Sequence, residues 1–277
     1  MGGKQQTECQ LTVDSPLLIV EFKVRAERKM LRSAGQFVIK RGQRFLHQGE
    51  TGLVSREWIQ EELEISNSHL TPELPLHLLT PACPLYHRPA TEQDLPDPWW
   101  SVYWPGGQVL ARTVLDNPHL VRSRRVLDLG SGCGALAIAA VRSGAQAVTA
   151  NDIDQNAFTA TKINMELNNI QEDKIDFLAD NLLETQQLDI LENVDTLLIG
   201  DMFYDEQIGS SVLEICQKFV NMAGEKEVLL GDPGRWYLES SAELITSLFT
   251  CISKHSLPPA TKRENYGFDT GFAWKMK

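Results

Sequence analysis

Between Val126 and Ala140 the chain reads VLDLGSGCGALAIAA. A short apolar run leads into three glycines at alternate positions, Gly130, Gly132 and Gly134, and then into a small, apolar helix-forming run. A buried strand, a glycine turn and an apolar helix in that order open a βαβ unit of a parallel sheet. Glycine lets the backbone approach a ligand closely where a Cβ would collide. From here on, short β-branched runs alternate with longer helical segments. Strands are expected at Arg125–Leu129, Ala147–Asn151, Ile175–Ala179, Asp195–Gly200, Lys226–Gly231, Cys251–Leu257 and Gly267–Trp274, with helices between them. Right-handed crossovers then gather the loops after the first, second and fourth strands at the carboxyl edge of the sheet, where function is expected.

Ahead of this pattern the chain differs. SREWIQEELEI, from Ser55, has helical spacing with Ser55 as a cap. Residues 71–105 hold Pro72, Pro75, Pro81, Pro84, Pro89, Pro96, Pro98 and Pro105, which excludes a long helix or a central strand. Three units are therefore expected: 1–50 as a leader or extension, 51–98 as a helix and proline-rich arm, and 99–277 as the catalytic domain.

Within the leader, Arg28, Lys29, Arg32, Lys40, Arg41 and Arg44 are interleaved with Leu31, Phe37, Val38, Ile39, Phe45 and Leu46, and no acid occurs between Arg28 and Gly49. That is the composition of a mitochondrial transit peptide, with Met30 placed as its natural start and residues 1–29 as an upstream extension. The whole chain is acidic, at −11, which disfavours a nucleic-acid partner. No apolar run is long enough for membrane insertion. Neither the five cysteines nor the six histidines show metal-ligand spacing, so no metal is expected.

Gly130, Gly132 and Ala135 also satisfy the dinucleotide fingerprint GxGxxG/A, and Asp128 separates the two readings. A carboxylate two positions before the first glycine would repel a pyrophosphate. S-adenosylmethionine carries a sulfonium and an ammonium and no phosphate, so the same carboxylate attracts it. Twenty-two residues after Gly130, Asp152 ends the second strand in VTANDID, where such folds place an acid on ribose hydroxyls. Asp154 reads as a helix cap. Asp180 and Asn181, after the third strand, are both candidates for the adenine amine, with Asn181 preferred.

The fourth strand delivers Asp201-Met202-Phe203-Tyr204 to the same edge. Methyl transfer is an in-line displacement in which the enzyme mainly positions the amine and excludes water. Asp201 is placed to align an amine, and Tyr204 to orient it. WWSVYWPGG puts Trp99, Trp100, Tyr103 and Trp104 together, as aromatic walls for a cation or as a hydrophobic plug.

With VLDLGSGCGA, ANDID, DMFYDE, WWSVYWPGG and GDPGR, the chain from about Leu70 onward resembles the seven-β-strand protein-lysine methyltransferases. The glycine motif is shared by most methyltransferases; DMFYDE, WPGG and GDPGR narrow the match. The resemblance implies an α/β, Rossmann-like seven-stranded sheet, mostly parallel with the last strand antiparallel, and helices on both faces. It implies S-adenosylmethionine held by Trp104, Asp128, Gly130, Ser131, Gly132, Gly134, Asp152, Ile153, Asn181 and Asp201. Asp201 and Tyr204 then serve the lysine, with Trp100, Phe203 and Arg235 toward the protein substrate. The partner implied is the electron transfer flavoprotein β-subunit in the mitochondrial matrix, met by a monomeric enzyme. Two other classes stay open: a related methyltransferase acting on another protein lysine or a small amine, and a non-catalytic binding module of the same fold.

Overall fold

The computed structural model describes residues 53–87, 98–184, 188–235, 241–265 and 267–277. The basic, acid-free stretch from Met30 to Glu50 lies outside the described residues. In chain order the elements are α1 (Arg56–Glu62), β1 (Glu64–Ser66), β2 (Leu76–Leu78), α2 (Pro84–His87), α3 (Pro105–Asp116), β3 (Arg125–Leu129) and α4 (Ala135–Arg142). There follow β4 (Ala147–Asn151), α5 (Asn156–Leu167), β5 (Asp176–Leu178), α6 (Asp189–Glu192), β6 (Thr196–Gly200), α7 (Glu206–Val220) and β7 (Glu227–Asp232). The last elements are α8 (Ala242–Leu248), β8 (Phe249–Ser256), α9 (Pro259–Glu264) and β9 (Thr270–Met276).

Seven strands form one sheet in the order β5-β4-β3-β6-β7-β9-β8. The pairs from β5 to β7 are parallel, and β9 is antiparallel to both β7 and β8. The chain runs outward from β3 through β4 to β5, then returns to lay β6 on the other side of β3. That reversal opens a crevice at the carboxyl ends of β3, β4 and β6, where ligands of doubly wound sheets bind.

Side chains alternate across a strand, so each central strand feeds two cores. Leu198 and Leu229 face the layer of α3 and α4, with Leu110, Val114 and Ile138. Leu197, Ile199, Val228 and Leu230 face α7, whose Val212, Leu213, Cys216 and Phe219 recur at helical spacing. Asp205 caps α7, its Oδ1 accepting from the N–H groups of Gln207 and Ile208.

Most strand edges fall within a residue of expectation; the third strand loses a residue at each end, and the sixth and seventh strands differ by more. The third expected strand shrinks to Asp176–Leu178. The sixth begins at Phe249, directly after α8, and the seventh starts late because Gly267 closes α9 with an N–H bond to the Lys262 carbonyl.

The proline-rich stretch is integrated with the sheet. Ser55 caps α1 as expected, accepting from Trp58 N–H. Leu74, Leu76 and Leu78 enter the same core as α3 and α4, and β1 pairs antiparallel with β2. Asn156 and Asn164 of α5 accept backbone N–H groups of Val54 and His77 at 2.8 and 2.7 Å. Thr71 meets the Tyr103 hydroxyl at 3.2 Å.

The first turn of α3 presses on the ends of β6 and β7. A Cβ at Gly231 would lie 2.1 Å from the Gly106 carbonyl oxygen, and one at Gly106 would lie 2.3 Å from the Gly231 oxygen. Gly231→Ala is therefore expected to destabilise the fold by about 1–3 kcal/mol through overpacking against rigid backbone. Thermal unfolding measures this; an unchanged midpoint would mean the two segments do not meet as described.

Candidate active site

The crevice is lined by the turns after β3, β4, β5 and β6. In the first, Gly130, Gly132 and Gly134 all have positive φ, at 69°, 52° and 77°. Their reasons for being glycine differ from a common need for ligand approach. A Cβ on Gly134 would sit 2.4 Å from Thr161 Oγ1 of α5, and one on Gly130 would sit 2.7 Å from the sulfur of Met202. At Gly132 a Cβ would make only ordinary contact, the nearest atom being the Trp100 carbonyl oxygen at 3.5 Å. Two of the glycines thus serve packing, and the third is required by its positive φ alone.

Asp128 and Asp152 flank this turn. Asp128 is almost fully buried; its Oδ2 and the nearby Ser131 Oγ have no hydrogen-bond partner among the described residues. Burial pushes the Asp128 carboxyl up to about 7, helped by the charge of Asp152 and opposed by the Ala137 N–H. Asp152 accepts from Gly132 N–H at 2.9 Å and from Asp154 N–H at 3.0 Å. Burial carries it up to about 6 against those bonds, with the Asp154 charge adding to the rise. A buried acid without a counter-ion is costly to ionise. A ligand bringing a cation to Asp128 and hydroxyl donors to Asp152 relieves that cost, so these residues fit S-adenosylmethionine.

Asn181 stands after β5, its Oδ1 accepting from Leu183 N–H at 3.1 Å. Asn151, a residue not singled out from sequence, ties this loop to β4, donating from Nδ2 to the carbonyls of Leu178 and Asp180 at 2.9 Å each. Its only signal was its place beside Asp152. Ile153 is 52% exposed at the mouth. Asp154 Oδ1 accepts from Asn156 N–H, which opens α5.

The turn after β6 packs on the glycine turn through Met202. Asp201 has a left-handed backbone, φ 64°, a conformation costly for a residue other than glycine. Its N–H donates to Gly231 O at 2.9 Å. Oδ2 accepts from Gly106 N–H at 2.6 Å, and Oδ1 accepts from Arg235 Nε at 2.6 Å. Tyr204 is 55% exposed. Desolvation by the surrounding protein and the carboxylates of Asp205, Asp152 and Asp201 push its hydroxyl up to about 12, with Arg235 acting the other way.

Three expected substrate contacts lie elsewhere. Trp100 is buried against α1 and α5 with Ile59, Ala157 and Ile163. Phe203 is 0% exposed, inside the core with Leu129 and Ile199. Arg235 turns inward, its side chain 11% exposed, because Asp201 offers a nearer acid than any partner protein. Of the aromatic cluster, Trp104 remains half-buried, its indole N–H donating to Trp99 O at 3.1 Å, while Tyr103 is buried.

The family described as ribosomal protein L11 methyltransferase (PrmA) matches residues 110–196. The electron transfer flavoprotein β-subunit lysine methyltransferase of Danio rerio is 42% identical over 221 residues, covering 79% of this chain and 82% of its own. The human protein of the same description is 41% identical over 220 residues, 79% and 80% of the two chains. A Caenorhabditis elegans homolog is 38% identical over 233 residues, 80% and 95%. The chain belongs to the electron transfer flavoprotein β-subunit lysine methyltransferase family. It is an S-adenosylmethionine-dependent protein-lysine methyltransferase.

Cofactor binding by this methyltransferase should depend on pH. Cationic and hydroxyl-donating ligand groups favour the charged forms of Asp128 and Asp152, which sit at about 7 and about 6. Both lie above the unfolded value of about 3.9, so the ligand-free protein loses stability as pH rises from about 4 to about 7. Over the same upper range the affinity for S-adenosylmethionine should climb and protons should be released on binding. Asp152→Ala should weaken binding by about 1.5–3 kcal/mol. Calorimetry tests both; a pH-independent affinity, or an unchanged one in the variant, would remove the assignment.

Proposed function

We propose that this methyltransferase modifies lysine side chains of the electron transfer flavoprotein β-subunit in the mitochondrial matrix. The observation that carries the assignment of roles is the contact between the two turns. Met202 brings the Asp201–Tyr204 segment against the glycine turn, so an amine docked at Tyr204 lies beside the end of the crevice that fits the cofactor. The similarity to β-subunit methyltransferases over four-fifths of the chain supports the substrate. The basic, acid-free stretch from Met30 to Glu50 supports the compartment.

S-adenosylmethionine supplies a methyl group activated by its sulfonium. This chain's task is to present a neutral amine in line with that methyl group. A free lysine, with pKa of about 10.4, is less than about 0.1% neutral at pH 7, and its ammonium has no lone pair to attack with. Desolvation under the Tyr204 ring lowers that pKa, as does the cofactor's positive charge. The proton leaves to solvent, and no dedicated base is needed. Asp201 acts from beneath, holding the α3 turn and the local charge.

Mass spectrometry of purified flavoprotein after incubation with enzyme and S-adenosylmethionine should find methylated lysines on the β-subunit. Asp201→Asn, which can still accept the Gly106 N–H bond but no longer holds the Arg235 guanidinium by charge, should cut turnover by about 100-fold through lost positioning of the turn, the scale for losing one preorganised contact, with cofactor affinity within a few-fold. An unmodified β-subunit alongside a methylated different protein or small amine would overturn the substrate. A fusion of residues 30–55 to a fluorescent protein should enter mitochondria; a diffuse cytosolic signal would overturn the compartment.

A further inference from the structure

Asp201 and Asp232 end adjacent parallel strands, and both are buried. Arg235 joins them. Its Nε donates to Asp201 Oδ1 at 2.6 Å, and its backbone N–H donates to Asp232 Oδ1 at 2.7 Å. The Gly234 N–H donates to the same Asp232 oxygen at 2.6 Å. Asp232 therefore folds the turn that returns the arginine side chain to Asp201. The guanidinium carbon stands 5.5 Å from the centre of the Trp104 ring and 5.2 Å from that of Phe268. An arginine held by an acid at its edge and rings at its sides is fixed in orientation.

The charge in this cluster is poised. Asp232 Oδ2 has no hydrogen-bond partner among the described residues. Burial and the Asp201 charge push its carboxyl up to about 7, while Arg235 and two backbone N–H groups oppose the rise. The field reaches the transfer site, since the Tyr204 hydroxyl senses Asp201 in one direction and Arg235 in the other.

We propose that Arg235 is a positioning residue for methyl transfer, which holds Asp201 and cancels its charge so that the docked lysine can lose its proton. This rests on the Asp201–Tyr204 turn being the lysine site. A bare carboxylate beside the amine would stabilise the ammonium and oppose the reaction; a guanidinium paired to that carboxylate removes most of the effect. The charged groups that bear on the Tyr204 hydroxyl are Asp205 and Asp201 after β6, Asp152 after β4 and Arg235 after β7, with the buried Asp232 behind Asp201. Of these, Arg235 is the cation that bears on Tyr204.

The test is the pH profile of kcat with the flavoprotein as substrate, together with calorimetry of S-adenosylmethionine binding. Arg235→Gln keeps an N–H donor and loses the charge. Its rising limb should move up by about one pH unit, the size of one unscreened charge roughly 12 Å away at an effective dielectric of about 20. Turnover near neutral pH should then fall about tenfold and recover at high pH. Arg235→Lys should restore the limb to the wild-type position. Asp232→Asn removes a negative charge and should move the limb the other way, a reversal that damaged packing does not imitate. Cofactor affinity should stay within about threefold in all three.

A pH-independent loss in Arg235→Gln, or limbs moving the same way in the Gln and Asn variants, would overturn the proposal. So would a change confined to the KM of the flavoprotein, which would put Arg235 in contact with the partner. Should Arg235→Gln fail to fold, the Lys and Asn variants decide by the same criterion: a limb unmoved in Asp232→Asn overturns it. Failure of the underlying lysine-site reading has its own signature, full turnover in Asp201→Asn.

Discussion

The site depends on the close contact between the first turn of α3 and the ends of β6 and β7. Gly106 and Gly231 leave no room for a Cβ on either side, and a Cβ on Gly200 would lie 2.9 Å from the Gly107 Cα. With the backbones that close, the Gly106 N–H reaches Asp201, and Trp104, one residue before the helix, reaches the arginine from the turn after β7. The left-handed backbone of Asp201 is sustained by this enclosure: its amide, both carboxylate oxygens and both flanking strands are committed. Strain of a kind that costs about 1–3 kcal/mol persists only where the surroundings over-determine it.

Around that junction the molecule accumulates buried acids. Asp128, Asp152 and Asp232 are all pushed toward neutrality by burial, and two of them retain an oxygen with no partner among the described residues. Such groups weaken a fold unless a ligand or counter-ion completes them. Asp128 and Asp152 stand beside the glycine turn, where a ligand with cationic and hydroxyl groups would complete them. Asp232 has Arg235. At the other end of the crevice the chain itself supplies the partners, through Arg235 and the turn after β7.

Much of this was legible in the sequence where the signal was local. The alternation of apolar runs placed the seven strands, and the spacing of Asp128, the glycines and Asp152 pointed to residues that the fold brings together at one turn. What was missed is long-range. Arg235 was expected to meet an acidic group on the partner protein; it meets an acid of its own chain 34 residues back, brought near only by strand pairing. Trp100 and Phe203 are aromatic residues in a ligand-rich neighbourhood, but composition does not say which way a ring turns, and both turn into packing. Gly134 satisfied a ligand motif while serving Thr161 of a neighbouring helix. The proline-rich stretch concealed β2 because three leucines alternating with Pro75 and His77 are a faint signal beside so many prolines.

The most direct test of the central claim, that the buried acids at the strand ends divide into a cofactor half and an acceptor half, is a crystal structure of the enzyme with S-adenosylhomocysteine. The account expects the ribose hydroxyls on the Asp152 carboxylate, the amino group near Asp128, and the Asp201–Arg235 pair unbroken. Asp201 turned onto the ribose or the amino-acid tail, with Arg235 released, would contradict it.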